Sequence, residues 1–94
     1  MSTLSYQRRA QLSRKYGMTE ENFHAMYDAQ GGRCAICRCQ LSPACVDHDH
    51  STGVVRGLLC SSCNKGLGFF NDDTRLLAYA LVYLEDHGKV LGRA

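Results

Sequence analysis

The chain has 94 residues, of which 45% are hydrophobic and 21% are charged, with a formal net charge of +2. This length predicts one small folded domain, residues 1–94, and the composition excludes a disordered or low-complexity chain. The net charge is too small to identify a partner. No apolar run reaches the length of a membrane span, and we therefore expect a cytoplasmic protein without a membrane partner.

The first predicted element is a basic helix over residues 4–16, a segment without glycine or proline that Gly17 follows. Four basic side chains cluster here: Arg8, Arg9, Arg14 and Lys15. Such clusters are typical of surfaces that bind a polyanion. A solvated helix face explains the cluster equally well.

A second helix is predicted from about Thr19 to Gln30. Thr19 is a favoured N-cap residue, and two glutamates follow it at the positive end of the helix dipole. Phe23, Met26 and Tyr27 recur at the spacing of a core-facing stripe. A pair of glycines then ends the helix.

The rest of the chain predicts a hairpin and a last helix. Two short β-branched runs flank residues 51–53 and favour an antiparallel hairpin. After Cys63, two glycines argue against a long regular helix. Residues 71–73 can cap a helix with apolar residues at helical spacing, which we expect to end near His87-Gly88 and to be followed by a frayed tail.

Six cysteines in a reducing compartment favour metal binding over disulfides. Two CxxC pairs are present: Cys34 with Cys37, and Cys60 with Cys63. Each pair can place two thiolates on one tetrahedral zinc, which leaves no open position for water and makes the ion structural. A redox CxxC or chance core cysteines explain two matched pairs less well. Cys39 and Cys45 have no assigned role and are interpreted as free or buried thiols.

The stretch VDHDH, residues 46–50, is a second group of metal-binding or ionisable side chains. Asp47 and Asn64 offer oxygen ligands of the kind that Mg²⁺ prefers, and His48 can accept a proton from water. Together they indicate metal-assisted phosphodiester hydrolysis. A polar turn without chemistry and a second structural metal both remain open at this point.

One geometric condition applies to this hypothesis. In a flat strand, Asp47 and His48 point to opposite faces of the sheet. If both act on the same phosphate, the strand must end, twist or bulge between them.

Three longer stretches resemble one known family. They are KYGMTEENFHAMYDAQGGRCAIC, VDHDHSTGVVRGLLCSSCNKGLGFFNDD and LLAYALVYLEDH, which span roughly residues 16–87. They resemble the recombination endonuclease VII branch of the HNH nucleases, a group common in bacteriophages. The resemblance implies a small α+β domain stabilised by zinc, with a ββα-metal (His-Me finger) core in residues 19–87 and helices on either side of it.

The resemblance also implies a role for each motif residue. The four CxxC cysteines would hold a structural zinc. Asp47 and Asn64 would bind a catalytic Mg²⁺ or Mn²⁺. His48 would be the general base, and His50 would position the substrate or assist.

From this resemblance we expect a DNA endonuclease that leaves 5′-phosphate and 3′-hydroxyl ends. Junction-resolving members carry a further C-terminal region, so nicking or double-strand cleavage of duplex DNA is the expected activity here, during phage DNA packaging or recombination. DNA and the phage proteins of those processes are the expected partners.

Arg56 and Lys65, with the N-terminal basic cluster, are the candidates for phosphate contacts, which position DNA without reading its sequence. Solvated charges explain these two residues nearly as well. The alternative function is a non-catalytic zinc module that binds nucleic acid or protein. Such a module would need the cysteines but not Asp47, His48 and Asn64.

Overall fold

The computed structural model of the chain describes Arg8, Gln11 and residues 17–90, with the backbone alone for residues 87–90. These residues form a small α+β structure with two antiparallel strands and three main helices. The described residues up to Asn64 make one compact unit, and those from Lys65 onward make a second. The helix predicted over residues 4–16 lies outside the described residues except for Arg8 and Gln11, which are both helical.

Helix α1 (Glu20–Ala29) confirms the second predicted helix and both of its ends. The Thr19 hydroxyl accepts a hydrogen bond from the Asn22 backbone N–H at 3.0 Å, and the Asn22 side chain reaches back to the Thr19 N–H. This reciprocal cap satisfies two backbone donors that the first turn leaves without a helical partner. After the helix, Gly31 and Gly32 adopt φ values of 66° and 70°, which other residues rarely accept.

Strands β1 (Cys45–His48) and β2 (Val55–Leu59) form the predicted antiparallel hairpin. At the turn, the Asp49 carboxylate accepts hydrogen bonds from the Ser51 and Thr52 backbone N–H groups at 2.8 and 3.1 Å. Gly53 completes the turn with a φ of 78°. The hairpin is therefore closed by side-chain and backbone hydrogen bonds that the local sequence provides.

The core of the first unit lies between α1, the hairpin and the segment that joins them. Its buried apolar residues are Met18, Phe23, Cys34, Leu41, Val46, Leu58 and Leu59. Leu58 is fully buried, and burial of a leucine side chain contributes roughly 1.5–3 kcal/mol relative to exposure. The core thus includes the middle of β1 and most of β2.

Helix α2 (Ser61–Phe69) follows the hairpin directly and contains both glycines that argued against a long helix. The helix forms, but it spans only 9 residues. The chain then turns through Asn71 and Asp72, which have φ values of 56° and 55°.

Helix α3 (Thr74–Val90) confirms the last predicted helix, with Asp73 accepting hydrogen bonds from the first-turn N–H groups of Arg75 and Leu76 at 2.8 and 3.3 Å. The predicted end near residue 88 was wrong, because the helix continues to Val90. A glycine inside a helix costs only about 1 kcal/mol relative to alanine, which is too little to end this one. Residues 91–94 of the predicted tail lie outside the described residues. Among the described helices, none is both long and apolar enough to cross a membrane.

Candidate metal centre and candidate active site

Four cysteine sulfurs converge at one point of the first unit. The Sγ atoms of Cys34, Cys37, Cys60 and Cys63 all lie within 4.8 Å of one another. The Sγ atoms of Cys37 and Cys60 are 3.7 Å apart, close to the roughly 3.8 Å edge of a tetrahedron whose centre lies about 2.3 Å from each sulfur, as in a zinc–thiolate site. The arrangement fits a closed four-thiolate metal site.

Both CxxC pairs lie in turns that direct backbone N–H groups at sulfur. The Ile36 N–H donates to Cys34 Sγ at 3.4 Å, and the Cys63 N–H donates to Cys60 Sγ at 3.4 Å. The first pair follows the glycine turn after α1, and the second pair opens α2. Such N–H bonds favour the thiolate, which is the metal-binding form.

The thiols of this cluster differ in acidity. Burial opposes ionisation of Cys34, but hydrogen bonds from its neighbours outweigh it and lower its pKa to about 6. The Cys63 backbone N–H lowers the pKa of Cys60. Burial and nearby sulfurs raise the pKa of Cys63 to about 12. Some sulfurs are therefore ready to bind a metal, while others must lose a proton when it binds.

The two cysteines without an assigned role differ in exposure. Cys39 is exposed, and Cys45 is half-buried at the start of β1. The pKa of Cys39 is raised to about 12, chiefly by a hydrogen bond with the Cys37 side chain and further by one with Cys60. Cys39 therefore lies near the sulfur cluster but outside the group of four.

The hairpin has a β-bulge on β2, opposite the VDHDH stretch. Asp47 pairs with Gly57, but His48 pairs with Val55, so Arg56 is an extra residue on β2. A bulge bends the strand that carries the extra residue, increases the local twist and leaves the extra residue without a partner in the ladder. The irregularity falls between Asp47 and His48, where the alternation of strand side chains predicts that one is needed.

Asp47 is 9% exposed and is the buried charged residue of the described core. The guanidinium of Arg56 binds it through two hydrogen bonds, from Nε to Oδ2 at 2.7 Å and from Nη2 to Oδ1 at 2.9 Å. Arg56, a predicted phosphate contact, thus lies on the carboxylate predicted to bind the catalytic metal. This parallel fork is the strong form of an arginine–carboxylate pair.

The two histidines of the stretch lie together beyond the bulge. His48 is half-buried, His50 is exposed, and their ring centroids are 4.9 Å apart. Asp49, between them, has its carboxylate in the hairpin turn, where the Thr52 and Ser51 N–H groups lower its pKa. Asp49 is thereby committed to structure, whereas the two imidazoles share one side of the hairpin.

Asn64 lies in the first turn of α2, directly after the last cysteine of the cluster. Its side chain is half-buried, and its backbone N–H donates to the Cys60 carbonyl at 3.0 Å. The turn that carries the metal-binding sulfurs therefore also determines where Asn64 begins.

Gln30, predicted only as the end of a helix, connects α1 to the hairpin. Its Oε1 accepts from the Leu58 N–H at 2.9 Å, and its Nε2 donates to the Leu58 carbonyl at 2.9 Å. The Ala35 N–H donates to the same carbonyl at 3.1 Å. The outer edge of β2 is thus satisfied by a side-chain amide and the cysteine turn. No local signal in the sequence indicates this contact.

The residues predicted to contact phosphate differ in their exposure and partners. Arg8 is turned onto the protein: its guanidinium donates to the Ala44 carbonyl at 3.0 Å and lies 5.5 Å from the centre of the Phe23 ring. Lys65 is exposed on α2. Arg9, Arg14 and Lys15 lie outside the described residues.

The comparisons with known proteins give one family profile and phage relatives. The profile of the family described as recombination endonuclease VII matches residues 9–86. The Gene 59 protein of Mycobacterium phage D29 is 51% identical over 76 residues, and that of Mycobacterium phage L5 is 45% identical over 73 residues. Each match covers 73% of this chain and 44% of the relative, so the chain spans less than half the length of these relatives. No solved structure gives a significant match.

Proposed function

The chain belongs to the recombination endonuclease VII family, and from this we propose that it is a metal-dependent DNA endonuclease of the HNH type. It hydrolyses phosphodiester bonds by nicking or double-strand cleavage, in phage DNA packaging or recombination. The active site consists of Asp47, His48 and Asn64, which all belong to the first unit. The core that carries them is a ββα-metal core made of β1, β2 and α2.

The single observation that carries this proposal is the bulge between Asp47 and His48. In a regular strand these neighbours would face opposite sides and could not serve one phosphate. The register shift, with its extra residue on β2, adds bend and twist to the hairpin at this position, which supports an approach of Asp47 and His48 to one phosphate. Bulges are over-represented next to active sites, which favours this proposal over a hairpin that only stabilises a zinc module.

His48 acts as the general base that takes a proton from the attacking water. An imidazole suits this role because it accepts protons near neutral pH. His50, whose ring centre is 4.9 Å from that of His48, helps to orient the first imidazole or the substrate. The proton leaves towards solvent on the exposed side of the histidine pair.

Asp47 and Asn64 hold the catalytic divalent ion, Mg²⁺ or Mn²⁺. Both offer hard oxygen ligands, which fit such an ion and do not fit the soft sulfur site. When bound, the ion offsets negative charge on the phosphate and on the leaving oxygen. The four-cysteine site holds a structural zinc, which keeps Asn64 and the hairpin in place.

DNA is the substrate, held through its phosphates by the N-terminal basic residues and Lys65. Arg8 contributes least to this contact, since its guanidinium already binds the Ala44 carbonyl and covers Phe23. We place all of these parts in a single domain, and phage packaging or recombination proteins are its partners.

A plasmid-nicking assay with zinc-loaded protein tests the proposal. His48→Ala and Asn64→Ala should each lower the Mg²⁺-dependent rate, with a loss of about 10²–10⁴-fold for the general base. His24→Ala is the matched control, because His24 lies on α1 in an i,i+4 pair with Glu20 at 3.4 Å. Equal rates in all variants, or no cleavage by any of them with Mg²⁺ or Mn²⁺, would instead support the non-catalytic zinc module.

A further inference from the structure

Arg56 contacts both oxygens of the carboxylate that the proposed function assigns to a divalent metal, at 2.7 and 2.9 Å. The Asp47 side chain is 11% exposed, whereas the Arg56 side chain is 37% exposed. The carboxylate is thus withdrawn from water, while the guanidinium reaches the surface.

The guanidinium and a divalent ion compete for this carboxylate. Mg²⁺ binds carboxylate oxygens at about 2.0–2.1 Å and demands near-octahedral geometry. An ion at that distance from Asp47 would repel the positive charge of Arg56 in a poorly solvated place, where screening is weak. Asp47 can satisfy one of the two cations well, but not both together.

Arg56 is also placed to move. It is the extra residue of the bulge, so its backbone lies outside the regular register of the hairpin. Its planar fork matches a phosphate as well as it matches a carboxylate. A transfer from Asp47 to a phosphate therefore keeps the hydrogen-bond geometry of the fork.

We propose that Arg56 holds Asp47 until the divalent metal binds and then transfers to a phosphate of the bound DNA. This exchange rests on the proposed function and adds to it a coupling between metal binding and DNA binding. Metal and DNA each favour separation of the same ion pair, so each raises the affinity of the protein for the other. Arg56 is a positioning residue in the metal-free site and a phosphate ligand in the complex.

The exchange can be followed directly by NMR on the zinc-loaded full chain. Mg²⁺ is added, and the Nε–H signal of Arg56 is recorded together with the backbone amide signals of Asp47 and His48. We expect the amide signals to shift as the ion binds, while the Arg56 Nε–H signal moves and exchanges faster with water. The Nε–H of Arg75, on α3, is the control and should stay unchanged.

The variants Arg56→Gln and Arg56→Lys test the competition by Mn²⁺ binding, measured by electron paramagnetic resonance without DNA. Arg56→Gln should bind Mn²⁺ about tenfold more tightly than wild type. Arg56→Lys, which keeps the charge but loses the fork, should lie between them, and Arg75→Gln should match wild type. With an uncleavable duplex present, the wild-type affinity for Mn²⁺ should rise, and this rise should disappear in Arg56→Gln.

The outcomes separate the exchange from the proposed function. If the Asp47 and His48 amides respond to Mg²⁺ and the Arg56 Nε–H does not, the metal binds beside an intact ion pair and the exchange is wrong, although the metal site stands. If wild type does not respond but Arg56→Gln does, Arg56 excludes the ion and is not displaced by it, so the exchange is wrong although the metal site stands. If neither wild type nor Arg56→Gln responds to Mg²⁺, both the metal site and the exchange are wrong. Equal Mn²⁺ affinities in wild type and Arg56→Gln also overturn it.

Discussion

The contact between Gln30 and Leu58 can be removed by one substitution, which also removes an exposed hydrogen bond from Gln30 Nε2 to the Arg33 carbonyl at 2.8 Å. Gln30→Met keeps a side chain of similar size and length but has no amide. The substitution takes away the acceptor of the Leu58 N–H and one of the two donors to the Leu58 carbonyl. The Ala35 N–H still binds that carbonyl, so the main loss falls on the N–H group.

The size of the effect follows from burial. Leu58 is 0% exposed, so water cannot replace the lost acceptor. A buried donor left without a partner costs about 1–3 kcal/mol, and we expect the free energy of unfolding to fall by about 2 kcal/mol. With a urea slope of about 1 kcal/mol per molar for a small domain, the unfolding midpoint should fall by about 2 M.

Urea unfolding at a fixed concentration of unbound zinc measures this change, because metal binding to the folded state alone shifts the midpoint. Gln40→Met is the matched control: Gln40 is exposed, and its substitution should change stability by no more than about 0.5 kcal/mol. Equal midpoints for Gln30→Met and Gln40→Met would refute the reasoning that this amide satisfies a buried strand edge.

Three further predictions test other parts of the structure. A strong chelator, or Cys60→Ser, should remove the zinc and unfold the first unit, seen as loss of the circular dichroism signal, whereas Cys39→Ser should keep both metal and signal. Thermal unfolding should show opposite effects of alanine at two glycines, both of which have open space around a new Cβ. Gly53→Ala should lower the free energy of unfolding by about 1–2 kcal/mol, because φ is positive at Gly53. Gly66→Ala, inside α2, should raise it by about 0.5–1 kcal/mol. The Thr52 and Ser51 N–H groups hold the pKa of Asp49 below its ordinary value of 3.8, so its stabilisation is present above that value and is lost as the pH falls through the folded-state pKa. The loss of stability in Asp49→Ala should then be larger at about pH 5 than at about pH 2.5 in urea unfolding, and equal losses at the two pH values would contradict the assignment.

Local physical rules accounted for the elements and for the metal-binding cysteines. A CxxC turn brings two sulfurs together through its own backbone, and Thr19 caps α1 through atoms three residues away. The hairpin turn is closed by Asp49 within four residues. Each of these devices depends on neighbours in the chain, so the sequence determines them wherever the rest of the molecule lies.

The strand irregularity at VDHDH depends partly on the local sequence and partly on the tertiary structure. The alternation of side chains in a strand required an irregularity between Asp47 and His48, and the register shift is there. Which residue becomes the extra one depends on how β2 pairs with β1 and packs in the core. That choice, Arg56, was not available from the spacing of the motif.

Only the tertiary structure decided what the long polar side chains do. Arg56 binds Asp47, Arg8 binds the Ala44 carbonyl 36 residues away, and Gln30 binds Leu58 across 28 residues. In the sequence two of these looked like surface charges and the third looked like a helix end. Each of these side chains binds a group that the folded chain brings close to it. Burying a polar backbone group without a hydrogen bond is costly, and this cost favours such contacts. Because the partners are distant in the chain, no periodicity or motif spacing in the sequence predicts the contacts.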